Sequence, residues 1–271
     1  MDAIVTRASQ EALDAYRRQS HLSTPSEAVS SYDIATGMIR IDLRGGRLPG
    51  NGGAELEDLQ GFISNGVLES ARPILPAAGT KFYYNGKDFE DQYPDDAKGD
   101  RESRAERQND GPVVVSAGHG WYYHHGFRDW RAQRDPSNGI IEDEITPGYA
   151  DELRQWLIER SQVAAVRVRS GALDPHDRSG QAWWRMGGRY SLEVSHPDQP
   201  DLWNSLPTST HPLRERDEDI RSRPHYANLL NARALFHLHT NAGSPLASGA
   251  RAYVAEGRPE DYRLASRVCA T

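Results

Sequence analysis

Three histidines stand at positions where their side chains could hold a metal ion. His119 lies in the run AGHG, directly after a short apolar run, and its flanking glycines let the backbone turn sharply there. His237 and His239 lie two residues apart in ALFHLHTNA, a predicted strand, so both rings should face the same side of the sheet. Core packing explains this pair poorly, because each buried imidazole would need a polar partner.

Glu142, in the run NGIIEDEIT, is the candidate carboxylate of the same site. It precedes a predicted helix in which Thr146 is the N-cap and Pro147 lies in the first turn. Asp143 and Glu144 belong to the same acidic run, and attraction to the positive end of the helix dipole is enough to explain them. Glu142 is therefore expected to lie near the sheet edge that carries the histidines.

Together these positions form a set of two histidines and one carboxylate. Cys269 is the only cysteine of the 271 residues, which excludes an intrachain disulfide and a cysteine-rich zinc knuckle. Three protein ligands leave one position open on Zn²⁺, where the ion lowers the pKa of water towards ~7 and polarises an amide carbonyl. Iron oxygenases use the same ligand types, usually on a β-barrel. The sequence predicts a zinc site formed by His119, Glu142 and one histidine of the pair His237 and His239.

Strands alternate with helices in the second half of the chain. We predict strands at PVVVSAG, VAAVRVRS, ALFHLHTNA and ARAYVAE, and helices around residues 146–157, at SRPHYANLLNA and at PEDYRLASRVCAT. This alternation predicts an α/β fold with a mostly parallel sheet flanked by helices. Ligands of such sheets bind beyond the carboxyl ends of the strands.

The domain organisation is expected to be bipartite. Residues 1–90 read as a small α+β module, with strands at MIRIDLR and TKFYYNG and a helix at ELEDLQGFISNGVLESA. Residues 91–111 read as a charged linker, and residues 112–271 as the α/β domain. A long insertion at about 171–219, which includes WWRMGGRY, is interpreted either as a lid that faces the substrate or as a peripheral excursion.

The composition excludes several classes of partner. The 39 acidic and 32 basic residues give a net charge of −7, which does not supply the basic surface that nucleic-acid binding needs. No apolar run reaches the length of about 18 residues that a membrane-spanning helix requires. The first 20 residues also lack the apolar core of a secretory signal.

From about residue 113 to residue 271 the chain resembles the zinc-dependent N-acetylmuramoyl-L-alanine amidases. The opening strand and glycine-flanked histidine of that family correspond to VVVSAGHG, which implies that His119 is the first zinc ligand. The family's glycine, two variable residues and glutamate correspond to Gly139 through Glu142, which implies that Glu142 is the second. The resemblance implies an amidase-like α/β fold with bound zinc.

A third motif completes the resemblance. The family has an arginine, then an alanine-asparagine pair, then a strand reading apolar-His-x-Asn-Ala. These correspond to Arg223, to Ala227 and Asn228, and to LHTNA, which implies that His239 is the third ligand. Arg223 and Asn241 are expected to contact the ligands or the substrate.

The chain departs from the family at His237, where the family usually has a serine. His237 is therefore expected to be either a hydrogen-bond partner of the ligands or an alternative ligand. A second departure concerns the family's catalytic glutamate, which lies on a further strand, whereas this chain ends at Thr271 in the helix before it. Glu256 and Glu260 lie too early to match, so the catalytic residue is unassigned. The sequence suggests either a truncated enzyme or a protein that binds zinc and wall fragments but hydrolyses them poorly.

The resemblance implies hydrolysis of the amide between N-acetylmuramic acid and L-alanine in bacterial peptidoglycan, as in cell-wall remodelling or autolysis. It also implies a periplasmic, extracellular or cell-wall location. The main alternative is a non-catalytic domain that binds zinc and peptidoglycan or regulates an amidase. A metallopeptidase of the carboxypeptidase type has a similar ligand set, but no His-x-x-Glu pair occurs around His119.

Overall fold

The computed structural model of this chain describes residues 1–20, 24–50, 52–93, 110–137, 139–240, 250, 252–254 and 259–268. The fold is mixed α/β, with a four-stranded sheet in the N-terminal part and a three-stranded parallel sheet in the C-terminal part. The described strands form no closed barrel. Among the described helices, none combines the length and the apolar character needed to cross a bilayer.

The N-terminal part is a sheet covered by two long helices. Its elements are α1 (Asp2–Gln19), β1 (Glu27–Tyr32), β2 (Met38–Arg44), α2 (Ala54–Ala71), β3 (Gly79–Tyr84), β4 (Lys87–Asp88) and the short α3 (Phe89–Gln92). β2 pairs antiparallel with β1 and parallel with β3, and β3 pairs antiparallel with β4 through a turn at Asn85 and Gly86. The predicted strands and helix are confirmed, whereas α1 and β1 were not predicted.

The predicted linker overlaps the end of this part. Phe89 is buried in the same apolar cluster as Ile39 and Ile41 of β2 and forms the first residue of α3. Tyr93, inside the predicted linker, also packs against this cluster, so the N-terminal part extends beyond residue 90. Residues 94–109 of the predicted linker lie outside the described residues.

The C-terminal part is built on a parallel sheet with strand order β8-β5-β9. Its elements are β5 (Val113–Ala117), β6 (Tyr122–His124), β7 (Asp129–Arg131), α4 (Glu142–Ser161), β8 (Ala165–Arg167), α5 (Gly188–Ser195), α6 (Arg214–Leu229), β9 (Ala234–Leu238) and α7 (Pro259–Val268). Every residue of the central strand β5 is buried, as its continuous apolar run predicts. Because all three strands are parallel, their carboxyl ends meet at one edge.

Helix α4 begins five residues earlier than predicted, since its N-cap is Ile141 and not Thr146. Thr146 is a buried residue inside the helix, and its hydroxyl donates to the carbonyls of Gly118 and Glu142 at 2.9 and 3.0 Å. Pro147 has no N–H for the carbonyl of Asp143, which accepts a hydrogen bond from Arg169 at 3.0 Å instead. A buried arginine therefore satisfies the carbonyl that the proline leaves free, and the helix continues through it.

The remaining predictions for the C-terminal part had mixed outcomes. Strands β5, β8 and β9 and helices α6 and α7 are confirmed, whereas ARAYVAE is not a strand over its described residues 252–254. Within the predicted insertion lie a 3₁₀ turn at Trp183–Arg185, helix α5 and a second turn at Pro200–Leu202. Met186 and Tyr190 are fully buried against the β6–β7 hairpin. The insertion thus contributes core residues, and its role as a lid stays a prediction.

Candidate metal centre

The three predicted ligands converge at the carboxyl edge of the parallel sheet. His119 follows β5, His239 follows β9, and Glu142 is the first residue of α4. Nε2 of His119 lies 3.0 Å from Nδ1 of His239 and 3.3 Å from Oε2 of Glu142, and Nδ1 of His239 lies 3.0 Å from Oε1 of Glu142. Both carboxylate oxygens of Glu142 therefore face the histidine nitrogens, and each of the three residues offers one ligand atom within 4.8 Å of the others.

These separations fit a small divalent cation. Zinc bonds of 2.0–2.1 Å arranged tetrahedrally place neighbouring ligand atoms about 3.3 Å apart. The observed spacings of 3.0 to 3.3 Å are close to that value. The donor set of two imidazoles and one carboxylate is also one that zinc accepts while leaving a position open. The residues therefore fit the metal that their types predict.

The backbone around His119 is shaped to deliver its ring. His119 has a φ of 56°, in the left-handed region that non-glycine residues rarely adopt, and is only 1% exposed. A Cβ on Gly118 would lie 2.8 Å from Nδ1 of His239, and one on Gly120 would lie 2.7 Å from Cα of Gly187. The glycines that flank His119 are thus required by close approach on both sides, and strain of this kind commonly occurs at functional sites.

Glu142 is held in its ionised form. Burial would raise the pKa of its carboxyl group, but the neighbouring side chains of His119 and His239 outweigh burial and lower that pKa well below the usual value. The backbone N–H of Thr240 also donates to Oε1 of Glu142 at 2.7 Å. For His119, burial is the main cause that lowers the pKa, so its ring is neutral near pH 7, which is the protonation state in which an imidazole binds a metal.

Asp143 has a larger role than the predicted attraction to the helix dipole. It is fully buried, and its carboxylate accepts hydrogen bonds from the backbone N–H groups of Gly120, Gln133 and Arg134 at 2.9, 2.7 and 3.2 Å. Asp143 therefore joins the turn after His119 to the segment that follows β7. Glu144, by contrast, pairs with Arg185 at 3.1 Å and lies outside the triad.

His237 and Arg223 lie next to the triad without belonging to it. Nε2 of His237 accepts a hydrogen bond from Nη1 of Arg223 at 2.8 Å, and its Nδ1 lies 3.4 Å from Nε2 of His239. His237 is exposed on β9 and its ring lies beside that of His239, so the two imidazoles face the same side as predicted. Arg223 is buried and also contacts the carbonyl of His119 at 3.2 Å. Asn241, the other predicted contact, lies outside the described residues.

Arg134 is a neighbour of the triad that sequence reasoning missed. Its Nε donates to Nε2 of His119 at 3.1 Å and lies 3.9 Å from Oε2 of Glu142. Its Nη1 donates to Asp58 of α2, which also accepts from Arg216 of α6 at 2.7 Å. Arg134 stands in RDWRAQRD, where nothing distinguishes it from the other arginines. The N-terminal part therefore reaches the triad through α2.

A second acidic residue of α2 approaches the opposite side of the triad. Oε1 of Glu57 lies 3.9 Å from Nε2 of His239, the ring nitrogen that does not face the other two ligands. A carboxylate beside the outer nitrogen of a ligating imidazole is a common means of orienting the ring. The centre therefore has charged neighbours from both parts of the chain. Comparison of the chain with known protein families, with curated proteins and with solved structures found no match.

Proposed function

We propose that this protein is a zinc-dependent hydrolase of the amide between N-acetylmuramic acid and L-alanine in peptidoglycan. The observation that carries the proposal is the convergence of His119, Glu142 and His239, whose ligand atoms lie 3.0 to 3.3 Å apart at the carboxyl edge of a parallel sheet. A zinc ion held there would supply activation of water and polarisation of the amide carbonyl.

The chain's own residues are suited to hold such an ion. Glu142 is ionised because its two histidine partners lower its pKa, and His119 is neutral because burial lowers its pKa. A metal site needs its ligands in these protonation states. Glu142 is fixed by the N–H of Thr240, and the turn that carries His119 is fixed by Asp143. The ligands are therefore supported by contacts that do not themselves involve a metal.

The choice of substrate rests on the order of the motifs. This chain carries its motifs in the same order as the zinc amidases. The glycine-flanked His119 comes first, the glutamate three residues after Gly139 comes second, and the arginine, the alanine-asparagine pair and the LHTNA run follow. An amidase-like fold and a cell-wall or periplasmic location belong to the same proposal. The parallel order β8-β5-β9 is compatible with it.

One observation favours the rival function, a non-catalytic domain that binds zinc and peptidoglycan. Glu260, one of the two glutamates that follow the third ligand, has a side chain 77% exposed and pairs with Arg263 on α7, a helix with no buried residue. The other, Glu256, lies outside the described residues. A carboxylate positioned for proton transfer typically contributes ~10²–10⁴-fold to such a reaction. Slow turnover despite tight zinc binding would identify the rival.

The experiment combines zinc content with turnover. The full chain is loaded with Zn²⁺, its metal content is measured, and release of L-alanine-linked peptides from purified sacculi is followed. We expect one zinc per chain, and loss of both zinc and turnover in Glu142→Gln. Glu144→Gln is the matched control, because Glu144 pairs with Arg185, and it should keep both. Zinc bound at full occupancy without peptide release would support the rival, and no zinc in the parent would refute both functions.

A further inference from the structure

Arg134 occupies the lone pair that a metal would need. An arginine side chain has only N–H donors, so the contact of 3.1 Å between its Nε and Nε2 of His119 requires the histidine nitrogen to accept. Nε2 is also the atom of His119 that lies 3.0 Å from Nδ1 of His239 and 3.3 Å from Oε2 of Glu142. The same nitrogen cannot accept from Arg134 and bind a cation, so the two contacts exclude each other.

Arg134 is also retained beside the centre by a contact that a metal would not disturb. Asp58 accepts from its Nη1, and the pKa of Asp58 is lowered because Arg216 and Arg134 together outweigh the effect of burial. The backbone N–H of Arg134 is bound to Asp143 at 3.2 Å. When the contact with His119 is broken, Arg134 is therefore still held by its backbone N–H on Asp143 and by its Nη1 on Asp58.

The rest of the guanidinium group is available to a ligand. The side chain is 28% exposed, and its Nη2 makes no hydrogen bond with the part of the chain that the structure describes. Guanidinium groups donate strongly to oxygen atoms that carry negative charge. A carbonyl oxygen that gains negative charge during amide cleavage is such an acceptor.

We propose that Arg134 has two alternative partners, Nε2 of His119 when the metal is absent and the carbonyl oxygen of the scissile amide when the metal is present. This inference rests on the proposed function for its second half. In the first state Arg134 competes with the metal for His119. In the second it donates N–H hydrogen bonds to the substrate and contributes a positive charge beside the reacting carbonyl. The N-terminal part takes part in both states because Asp58 anchors the arginine.

The two alternative contacts of Arg134 predict that one substitution changes zinc affinity and turnover in opposite directions. Arg134→Ala removes both the competing donor and a positive charge, so Zn²⁺ should bind roughly tenfold more tightly, the factor that one hydrogen bond to a charged group represents. Release of peptides from sacculi by the zinc-loaded variant should fall by about 10²-fold, as when one donor to a developing oxyanion is lost. A merely structural arginine would weaken zinc binding on removal, so the direction of the change distinguishes the two roles.

The test measures Zn²⁺ affinity of the full chain by competition with a chromophoric chelator, and turnover on sacculi at saturating zinc. Arg131→Ala is the matched control, because Arg131 lies three residues away and pairs with Asp129 of its own hairpin. It should match the parent in both measurements. Arg134→Lys keeps the charge and should bind zinc more weakly than Arg134→Ala.

The outcomes separate this inference from the proposed function. If the parent binds zinc and cleaves sacculi while Arg134→Ala shows unchanged or weaker zinc affinity, the competition is refuted and the function stands. Tighter zinc binding with unchanged turnover would overturn the substrate contact. A parent chain that binds no zinc would overturn the metal assignment and this inference with it. Circular dichroism of each variant establishes that it is folded before affinities are compared.

Discussion

Arg223 donates a hydrogen bond from its Nη1 to Nε2 of His237 across 2.8 Å. Arginine cannot accept a hydrogen bond, so this nitrogen of His237 is an acceptor and its lone pair is not free for a metal. The other ring nitrogen lies 3.4 Å from Nε2 of His239. His237 is therefore a neighbour that supports His239, and the alternative that it serves as a ligand is not favoured by this geometry.

Substitution of His237, in β9, and of His239, which follows β9, should give unequal results. His239→Ala removes a ligand and should abolish detectable zinc binding, whereas His237→Ala keeps the ligand set. Loss of a supporting contact behind a ligand typically costs about 10–100-fold in metal affinity, so a loss within that range is expected for His237→Ala. Isothermal titration calorimetry with Zn²⁺ measures the affinity of both variants. Equal losses in the two variants would show that His237 binds the metal directly.

The metal-free protein should lose stability with acid in two stages. The pKa of His119 in the folded state is lowered below 6.5, mainly by burial, so the unfolded chain binds more protons below that pH. The contribution of His119 is complete above about pH 6.5 and falls by at most about 1.4 kcal/mol per pH unit below it. Glu142, whose pKa is lowered from 4.5, adds to the loss as the pH falls below about 4.5.

Urea unfolding at a series of pH values measures this dependence. His119→Gln removes the titrating ring, so its free energy of unfolding should change less than that of the parent between pH 6.5 and 4.5. Below pH 4.5 both proteins should still lose stability, since Glu142 remains. A parent whose stability is constant from pH 7 to pH 4.5 would contradict a neutral, buried His119.

The sequence predicts those parts of the fold that have a strong local pattern. Alternating apolar residues identify β2, and a continuous apolar run identifies β5, because each pattern reflects burial on one or both faces. The apolar face of α1 consists partly of Ala8 and Ala12, whose small side chains give a weak signal. The start of α4 depends on Arg169, which is distant in sequence and serves the carbonyl that Pro147 leaves free. Local reading cannot supply such a contact.

The residues of the candidate site also fall into two groups, those that a local pattern predicts and those that depend on tertiary contacts. His119, Glu142 and His239 could be predicted because glycines, an acidic run and a strand end mark them in the sequence. Arg134 and Asp58 could not, because their contact joins residues 76 positions apart, and 32 basic and 39 acidic residues offer many possible pairs. Which charges meet is decided by how α2 packs against the C-terminal part. The supporting residues of the centre are therefore a property of the tertiary structure.

Gly118 should tolerate no side chain. A Cβ there would lie 2.6 Å from the carbonyl oxygen of Leu238 and 2.8 Å from Nδ1 of His239, so the end of β9 must shift. Gly118→Ala should cost about 1–3 kcal/mol of stability, as overpacking of a filled site does. It should also weaken zinc binding, since His239 is displaced.

Gly148→Ala is the matched control for this change. Gly148 lies inside α4, and a Cβ added there would have no neighbouring atom within 4 Å, so alanine should stabilise the protein by about 0.5–1 kcal/mol through its helix propensity. Its zinc affinity should equal that of the parent. Thermal unfolding and a chelator assay measure the two effects. Gly118→Ala with unchanged zinc affinity would refute the close approach of His239.

The contact between Asp58 and Arg216 should stabilise the association of α2 with the C-terminal part. Both side chains are mostly buried. Burial lowers the pKa of the Arg216 guanidinium group, but neighbouring groups, chiefly Asp58, outweigh burial and raise that pKa. Removal of one partner of a buried ion pair costs about 3 kcal/mol, because the other charge is left without compensation. Asp58→Asn should therefore destabilise the protein strongly, whereas Lys81→Ala, which breaks a pair at the more exposed Asp88, should cost less than about 1 kcal/mol.

A double-mutant cycle of Asp58→Asn and Arg216→Met separates the pair from other effects of each change. We expect a coupling energy of about 1.5–3 kcal/mol, the range of hydrogen bonds to charged groups. All six tryptophans lie in the C-terminal part, from Trp121 onwards, so fluorescence follows that part alone while far-UV circular dichroism follows the whole chain. In the parent the two urea transitions should coincide, and in Asp58→Asn they should separate because α2 is no longer held. Additive effects in the cycle, with coincident transitions in every variant, would show that this ion pair does not couple the two parts.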